Sequence, residues 1–229
     1  MIKKDIFFAC ASITLLLLIL ASCRSARYLN EDQALVTKVS IEGVTPALKE
    51  SAAAYVSTEV RPNSRLNLSI YNVFNTKDGA YKRDGIRNVG EPPHILDSSL
   101  VDLSAKQINR FLQTKGYFNA TVVPQALVKK KKAAVQFDVE LGQPFLYGSI
   151  TQQVADPAIE KVYRTEVLPF AKAKPGKQFD SADLLDEREA MYNKLKEYGY
   201  YEYLRQYMRV AIDTNKVSKQ ADLQLSIQD

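Results

Sequence analysis

A cysteine in a processing motif is the residue that most plainly predicts a covalent modification in this sequence. Leu20-Ala21-Ser22-Cys23 follows an apolar run from Ile6 to Ala21, and two lysines, Lys3 and Lys4, precede that run. A basic start, an apolar segment and small residues at its end are typical of a secretory signal peptide. Because the small residues stand directly before a cysteine, we expect cleavage after residue 22 and covalent lipid on Cys23, with no other cofactor.

The length of the apolar run also indicates whether it can span a membrane. It is shorter than the roughly 20 residues that a helix needs to cross a bilayer, which favours a cleaved signal over a membrane span. Cleavage leaves Cys23 as the sole cysteine, because Cys10 lies inside the signal, so no disulfide is expected. An uncleaved inner-membrane anchor is the alternative at this point.

No pattern in the sequence predicts catalysis. His94 is the sole histidine, and the sequence has no Cys/His cluster, glycine-rich phosphate loop or nucleophile motif. Carboxylates such as Asp102 and Asp183 fit helix caps and solvated helix faces. The formal net charge of +5 is too mild to indicate a nucleic-acid partner. We therefore expect neither an enzyme nor a small-molecule substrate.

An internal repeat organises the rest of the chain. Asp97 to Phe118 aligns without a gap on Asp180 to Tyr201, and each segment ends in a glycine followed by two aromatic residues. Gly116 and Gly199 are typical of helix C-caps. Helical spacing predicts a buried apolar stripe in each copy, formed by Val101, Ala105, Ile108 and Leu112 in the first and by Leu184, Met191 and Leu195 in the second. Arg188 is the exception in the second stripe.

A shorter helix is expected before each of these long ones. Thr45-Pro46 and Asp156-Pro157 open the short helices, and Pro62 and Pro169 close them. Strands are expected at residues 35–42, 119–128 and 133–141 in the first copy and at 145–152, 202–213 and 221–227 in the second. We therefore predict an α+β fold of two tandem β-α-α-β-β modules, each with a three-stranded mixed sheet covered by two helices.

The domain plan follows from these elements. We expect a signal peptide at residues 1–22, a lipidated linker at 23–33, a first module at 34–144 with an insertion at about 63–95, and a second module at 145–229. Insertions of this length are functional or disordered. Apolar residues predict an ordered segment inside it that packs on the first module or on a partner, namely Leu66, Leu68, Ile70, Val73 and Phe74.

The order of elements and two motifs resemble the POTRA domain. Gly116-Tyr117-Phe118 follows the second helix of the first unit, and Gly142-Gln143-Pro144-Phe145 leaves its last strand. Arg61-Pro62-Asn63 and Gly90-Glu91-Pro92-Pro93 are similar to the lipoprotein branch of the BamA/TamA outer-membrane assembly family, the TamL-like proteins of Bacteroidota. That family usually continues into a large β-barrel, and this chain ends at Asp229, so a truncated copy, a fragment and a separate periplasmic protein are all open.

The resemblance implies binding of a client or partner strand to an open sheet edge. The edge residues expected are Ala120, Val122 and Val123 in the first unit and Tyr203, Arg205 and Tyr207 in the second, with Pro124 marking a guarded edge. The resemblance further implies outer-membrane protein clients or a TamB-like or barrel partner. It places the chain at the outer membrane, lipid-anchored and facing the periplasm.

Alternatives are left open by the sequence. One is a small-ligand or cell-wall-binding envelope lipoprotein, and another is an inner-membrane-anchored POTRA protein of the division type. The lysine run from Lys129 to Lys132 is expected to be a solvated hairpin turn, or else a contact with anionic headgroups. The tyrosine-rich segment from Tyr198 to Tyr207 is expected to pack in the core or to bind clients.

Overall fold

The computed structural model describes residues 26–85 and 89–228. These residues form two compact units, the first from residues 26–107 and 122–138 and the second from 108–121 and 139–228. Cys23 and the expected signal peptide lie outside the described residues. The division expected between residues 144 and 145 stays a prediction.

The sheet of the first unit has the strand order β1-β5-β4. Its strands are β1 (Leu35–Glu42), β4 (Thr121–Lys129) and β5 (Lys132–Glu140). β1 runs parallel to β5, whereas β4 and β5 are joined by a two-residue turn and therefore run antiparallel. The elements between β1 and β4 are α1 (Pro46–Ala53), a 3-10 turn (Thr58–Val60), α2 (Arg65–Asn75), β2 (Thr76–Lys77), β3 (Ala80–Tyr81) and α3 (Ser98–Thr114).

The sheet of the second unit repeats this topology in the order β6-β8-β7. Its strands are β6 (Leu146–Val154), β7 (Met208–Asn215) and β8 (Gln220–Ile227). β8 is parallel to β6 and antiparallel to β7. The helical elements are α4 (Pro157–Val162), which continues as a π-helical turn (Tyr163–Val167) and a 3-10 turn (Leu168–Phe170), then α5 (Ser181–Glu197) and a 3-10 turn (Arg205–Tyr207). The predicted α+β fold with mixed three-stranded sheets is confirmed.

The predicted apolar stripes lie in the core. Every stripe residue of α3 and α5 named from the sequence is buried: Val101, Ala105, Ile108, Leu112, Leu184, Met191 and Leu195. Inward positions of the central strands complete the core, for example Phe137 on β5 and Leu225 on β8. Burial of each helix stripe against one face of a sheet is what holds a small α+β layer together.

Glycines end both long helices as the sequence predicts. Gly116 and Gly199 have φ values of +88° and +91°, a left-handed conformation that costs other residues energy. The N–H of the next residue then reaches back into the helix: Tyr117 donates to the Leu112 carbonyl at 3.0 Å and Tyr200 to the Leu195 carbonyl at 2.9 Å. This is the Schellman pattern of hydrogen bonding.

One expectation about an element needs correction. The strand expected over residues 202–213 begins only at Met208, because Tyr203 turns into the core and Arg205–Tyr207 forms a 3-10 turn. The ordered segment expected inside the insertion is the helix α2, whose Leu68 packs into the first unit. Within the described residues, no helix combines the length and the apolar character that crossing a membrane requires.

Candidate functional site

The outer edge of β7 carries unpaired backbone groups. Tyr207, directly before β7, accepts a hydrogen bond from the Gln228 N–H at 3.0 Å, so these two residues form a hydrogen-bonded pair. Antiparallel ladders alternate hydrogen-bonded and non-hydrogen-bonded pairs. In the register of β7 and β8, the residues that direct their N–H and C=O groups away from β8 are therefore Met208, Val210, Ile212 and Thr214.

The edge of β4 is set by its hairpin turn. Lys130 and Lys131 have φ values of 50° and 59°, as a type I′ turn requires, and such a turn makes its flanking residues a hydrogen-bonded pair. Counting back from Lys129, the outward backbone groups belong to Val128, Ala126, Pro124 and Val122. Pro124 has no N–H to donate, so the edge of β4 offers fewer donors than the edge of β7.

At the opposite edge of each sheet, a loop pairs with the start of the outer strand. Beside β1, the Val36 N–H donates to the His94 carbonyl at 2.9 Å and the Leu96 N–H to the Ala34 carbonyl at 2.8 Å. Beside β6, the Tyr147 N–H donates to the Lys177 carbonyl at 2.8 Å and the Gly176 N–H to the Tyr147 carbonyl at 2.8 Å. In both units the loop before the long helix pairs with the first residues of the outer parallel strand, β1 or β6. The edges of β4 and β7 lie on the other side of each sheet.

Of the three edge residues expected in the first unit, two lie on β4 and one does not. Val122 and Val123 lie on β4, and the side chain of Val123 is exposed. Ala120 is buried and precedes the strand, and its N–H donates to the Tyr117 carbonyl at 3.0 Å. Ala120 therefore belongs to the turn that leads from α3 into β4, not to the edge.

The edge residues expected in the second unit lie ahead of β7. Tyr203 is buried in the core, and Arg205 and Tyr207 bound the 3-10 turn. The alignment with the first repeat suggested a strand here, but Tyr203 packs in the core beside Met191 and Leu195 of α5 instead. The edge itself consists of Met208 to Thr214, and the binding role of either edge stays a prediction.

Arg205 ties this turn to α5. Its guanidinium donates to both carboxylate oxygens of Glu189, at 2.5 and 2.7 Å, and lies 3.6 Å from the ring centroid of Tyr192. The hydrogen bonds from Arg205 lower the pKa of Glu189. A bidentate pair stacked on an aromatic ring fixes the direction in which the chain enters β7.

The lysine turn between β4 and β5 has one anchored member. The Lys131 ammonium donates to the Leu29 carbonyl at 3.0 Å and to Oε1 of Glu31 at 2.8 Å. Lys129, Lys130 and Lys132 line a shallow depression together with Ala26 and Arg27. Positive charge is therefore concentrated beside the first described residues of the chain.

His94 has a structural position. Its ring Nδ1 lies 2.7 Å from the Arg61 carbonyl, and its backbone N–H donates to the Asn63 side chain at 2.7 Å. These bonds fasten the end of the insertion to its beginning. Across residues 26–85 and 89–228, no group of three or more His, Cys, Asp or Glu side chains is arranged to hold a metal ion.

Some buried polar groups of the second unit were not predicted from the sequence, or were indicated by it only in part. Glu187 is buried and accepts a hydrogen bond from Tyr163, and helical spacing gives no signal for it. Among the described residues, Nε of Arg188 and the hydroxyl of Tyr203 are buried without a hydrogen-bond partner. The signal for Arg188 was its charge in an otherwise apolar stripe.

Comparisons with known proteins show likeness in fold. No family model and no curated protein matches this sequence. POTRA domains 3–5 of BamA from Haemophilus influenzae are similar at 13% identity and a TM-score of 0.43, over 87% of this chain and 68% of that one. BamA from Haemophilus ducreyi lacking POTRA domains 1–3 is similar at 15% identity and a TM-score of 0.41, over 85% of this chain and 29% of that one.

A cyanobacterial structure is similar over nearly its whole length. POTRA domains 1 and 2 of Omp85 from Anabaena show 15% identity and a TM-score of 0.39, over 87% of this chain and 99% of that one. At such identities these comparisons concern the fold, and the function has to be argued from the residues of this chain.

Proposed function

We propose that this chain is an envelope lipoprotein that binds extended segments of client or partner proteins at the edges of β4 and β7. Lipid on Cys23 holds it to the outer membrane on the periplasmic side. The bound segments belong to outer-membrane protein clients, or to a TamB-like or barrel partner. The observation that carries the proposal is the row of outward backbone groups on β7, the outer antiparallel strand of its sheet.

Strand addition is physically suited to this edge. An edge strand offers N–H and C=O groups at the spacing of a ladder, so a segment of any sequence can gain the main-chain hydrogen bonds. Side chains beside the edge then decide which segments bind. This combination suits a protein that accepts many clients with a shared pattern rather than one sequence.

The side chains of β7 favour an alternating client. Val210 and Ile212 lie on the face of the sheet that packs against the helices, whereas Arg209 and Asp213 lie on the opposite, exposed face. Neighbouring strands place side chains of like position on the same face. A segment that alternates apolar and polar residues therefore matches β7, and such alternation is typical of outer-membrane barrel strands.

The edge of β4 differs in chemistry. Val123 and Leu127 are exposed on the face away from the helices, and Val128 is exposed near the hairpin. Pro124 interrupts the outward donors. We therefore expect β4 to bind by apolar side-chain contact with fewer main-chain bonds, and β7 to be the stronger edge.

Photo-crosslinking in cells tests the proposal. A photoreactive residue replaces Ile212 on β7 or Val123 on β4, and a matched control replaces Gln224, which is exposed on the central strand β8. Crosslinks to barrel strands or to an assembly partner from Ile212 and Val123, but not from Gln224, would support strand addition. Equal crosslinking from all three positions, or none from the edges, would contradict it.

A further inference from the structure

Helix α2 leaves one apolar face uncovered. Leu66 and Val73 are 69% and 73% exposed, and Phe74 is 44% exposed. These residues and Ile70 follow i, i+4, i+7 and i+8 spacing, which puts them on one side of the helix. Leu68 and Asn75 on the other side are buried. The helix therefore packs on the first unit by one face and presents an apolar face outward.

The insertion holds this helix in place. The Asn63 side chain donates to the Pro92 carbonyl at 2.8 Å, and the Glu91 carboxylate accepts from the Ser64 N–H at 3.1 Å at the start of the helix. The exposed face is thus part of an ordered structure. Contiguous exposed apolar side chains on an ordered surface indicate an interaction site.

The start of the described chain lies against the same helix. Ala26, Leu29, Leu35 and Leu68 form one buried cluster, and Tyr81 packs against it. Three peptide steps separate Cys23 from Ala26, a distance of at most about 10 Å in an extended chain. Ala26 packs on the Leu68 side of α2, across the helix from the apolar face, and a helix with its side chains is about 10–12 Å wide. A lipid surface that holds Cys23 therefore meets the apolar face at about the full reach of this linker.

Basic side chains lie near the C-terminal end of the helix and near the start of the described chain. The Lys82 ammonium donates to the Phe74 carbonyl at 3.0 Å, at the C-terminal end of the apolar face. In residues 65–84 basic side chains outnumber acidic ones, with Arg65, Lys77, Lys82 and Arg83 against Asp78 and Asp84. Lys129, Lys130 and Lys132 lie beside Ala26 and Arg27. Basic residues near a membrane surface are attracted to anionic headgroups.

We propose that the apolar face of α2, formed by Leu66, Ile70, Val73 and Phe74, lies on the lipid surface that carries Cys23. The lysine turn contacts anionic headgroups at the same surface. This inference rests on the proposed anchoring at Cys23. The second contact supplements the acyl chains and fixes the orientation of the first unit on the membrane, because two separate attachments to one surface restrict its rotation.

A single tryptophan reports on this contact, because the sequence contains none. Val73→Trp is introduced into the full chain, and the protein purified from cells that express it is reconstituted into vesicles of phosphatidylcholine and phosphatidylglycerol with brominated acyl chains. The matched control is Val217→Trp, since Val217 is 94% exposed in the turn between β7 and β8. We expect a blue-shifted emission and several-fold stronger quenching for Val73→Trp than for Val217→Trp.

Flotation of the vesicles separates the two proposals. Protein that does not float with lipid would overturn the anchoring at Cys23 and, with it, this inference. Protein that floats, but shows no more quenching at position 73 than at position 217, would overturn the docking of α2 alone. That second result would direct the search to a protein partner for the apolar face.

Two further variations sharpen the test. Leu66→Gln changes an exposed position, so the fold is retained, and we expect it to reduce the quenching at position 73 several-fold. Omitting phosphatidylglycerol should also weaken the quenching, because the lysines then lose their headgroup partners. Quenching that is unaffected by Leu66→Gln would contradict the apolar contact, and quenching that is unaffected by the lipid would contradict the role of the lysine turn.

Discussion

The Tyr163 hydroxyl donates a 2.5 Å hydrogen bond to Oε1 of Glu187 inside the second unit, where both side chains are buried. Burial raises the pKa of Glu187, and the hydrogen bond from Tyr163 acts in the opposite direction. Burial also raises the pKa of Tyr163, so its hydroxyl stays protonated and remains the donor. The carboxyl group at position 187 therefore binds its proton more tightly in the folded chain than in the unfolded chain.

Glu187 should make stability depend on pH in a defined direction. A raised folded pKa contributes stability below the unfolded pKa of about 4.3, and that contribution is lost as the pH rises through the folded pKa. Glu187→Gln has no such loss. We therefore expect the difference in unfolding free energy, variant minus native chain, to increase as the pH rises. Chemical denaturation across this pH range measures the difference.

Glu189→Gln is the control for that experiment. Arg205 lowers the pKa of Glu189, so its contribution is present above the usual carboxyl pKa and is lost as the pH falls. The two variants should therefore change the pH dependence in opposite directions. The same sign in both would contradict the assignment of Glu187 as the buried, proton-binding carboxyl.

Arg188 should cost stability. Its buried Nε has no hydrogen-bond partner among the described residues, and the equivalent residue of the first repeat is the buried Ala105. Relief of one unsatisfied buried donor is worth about 1 kcal/mol, so we expect Arg188→Met to raise the unfolding free energy by about that amount.

Tyr203, whose hydroxyl is near Arg188, offers a second variant. Burial raises the pKa of Tyr203 to about 12, and the charge of Arg188 acts against that rise. Tyr203→Phe removes a second buried polar group that has no hydrogen-bond partner among the described residues, and it should be neutral or stabilising. Arg209→Met, at an exposed position of β7, serves as the control in denaturation experiments and should change stability little. A loss of stability in Arg188→Met would show that the guanidinium has a partner in solution.

Proline substitutions on β7 should distinguish strand binding at the outer edge from the stability of the sheet. The Ile212 N–H points outward, so Ile212→Pro removes a donor for an added strand without breaking the ladder to β8. The Ala211 N–H faces β8, so Ala211→Pro leaves an acceptor on β8 unpaired and should cost roughly 1–3 kcal/mol.

Crosslinking and denaturation on the same pair check this. We expect Ile212→Pro to lose client crosslinks from β7 while keeping most of its stability, and Ala211→Pro to lose stability. Full crosslinking in Ile212→Pro would mean that clients do not pair with the backbone of β7.

The two C-cap glycines should differ in their tolerance of alanine. At Gly199 a Cβ would meet no atom within 4 Å, whereas at Gly116 it would lie 2.8 Å from the Phe179 carbonyl oxygen. Both variants carry the cost of a left-handed alanine, about 1 kcal/mol. Gly116→Ala should lose roughly 1–3 kcal/mol more through overpacking. Thermal unfolding compares the pair, and equal losses would show that the turn at Gly116 relaxes freely.

The sequence by itself determined the repeated module and most of its elements. Apolar spacing located α3 and α5, proline and glycine marked helix ends, and alternation located β5 and β8. These features are local, because the period of the apolar residues and the backbone freedom of glycine do not depend on distant contacts. The lipid attachment at Cys23 is also a sequence prediction, and it lies outside the described residues.

Only the tertiary structure decided which edges are open and which residues line them. The pairing of a loop with the first residues of β1 and β6 depends on contacts between residues far apart in sequence, and so does the inward turn of Tyr203 that delays β7 to Met208. The same holds for α2, whose apolar residues fit either burial or exposure. Leu68 is buried because it packs against the start of the chain, and that packing leaves Val73 facing outward.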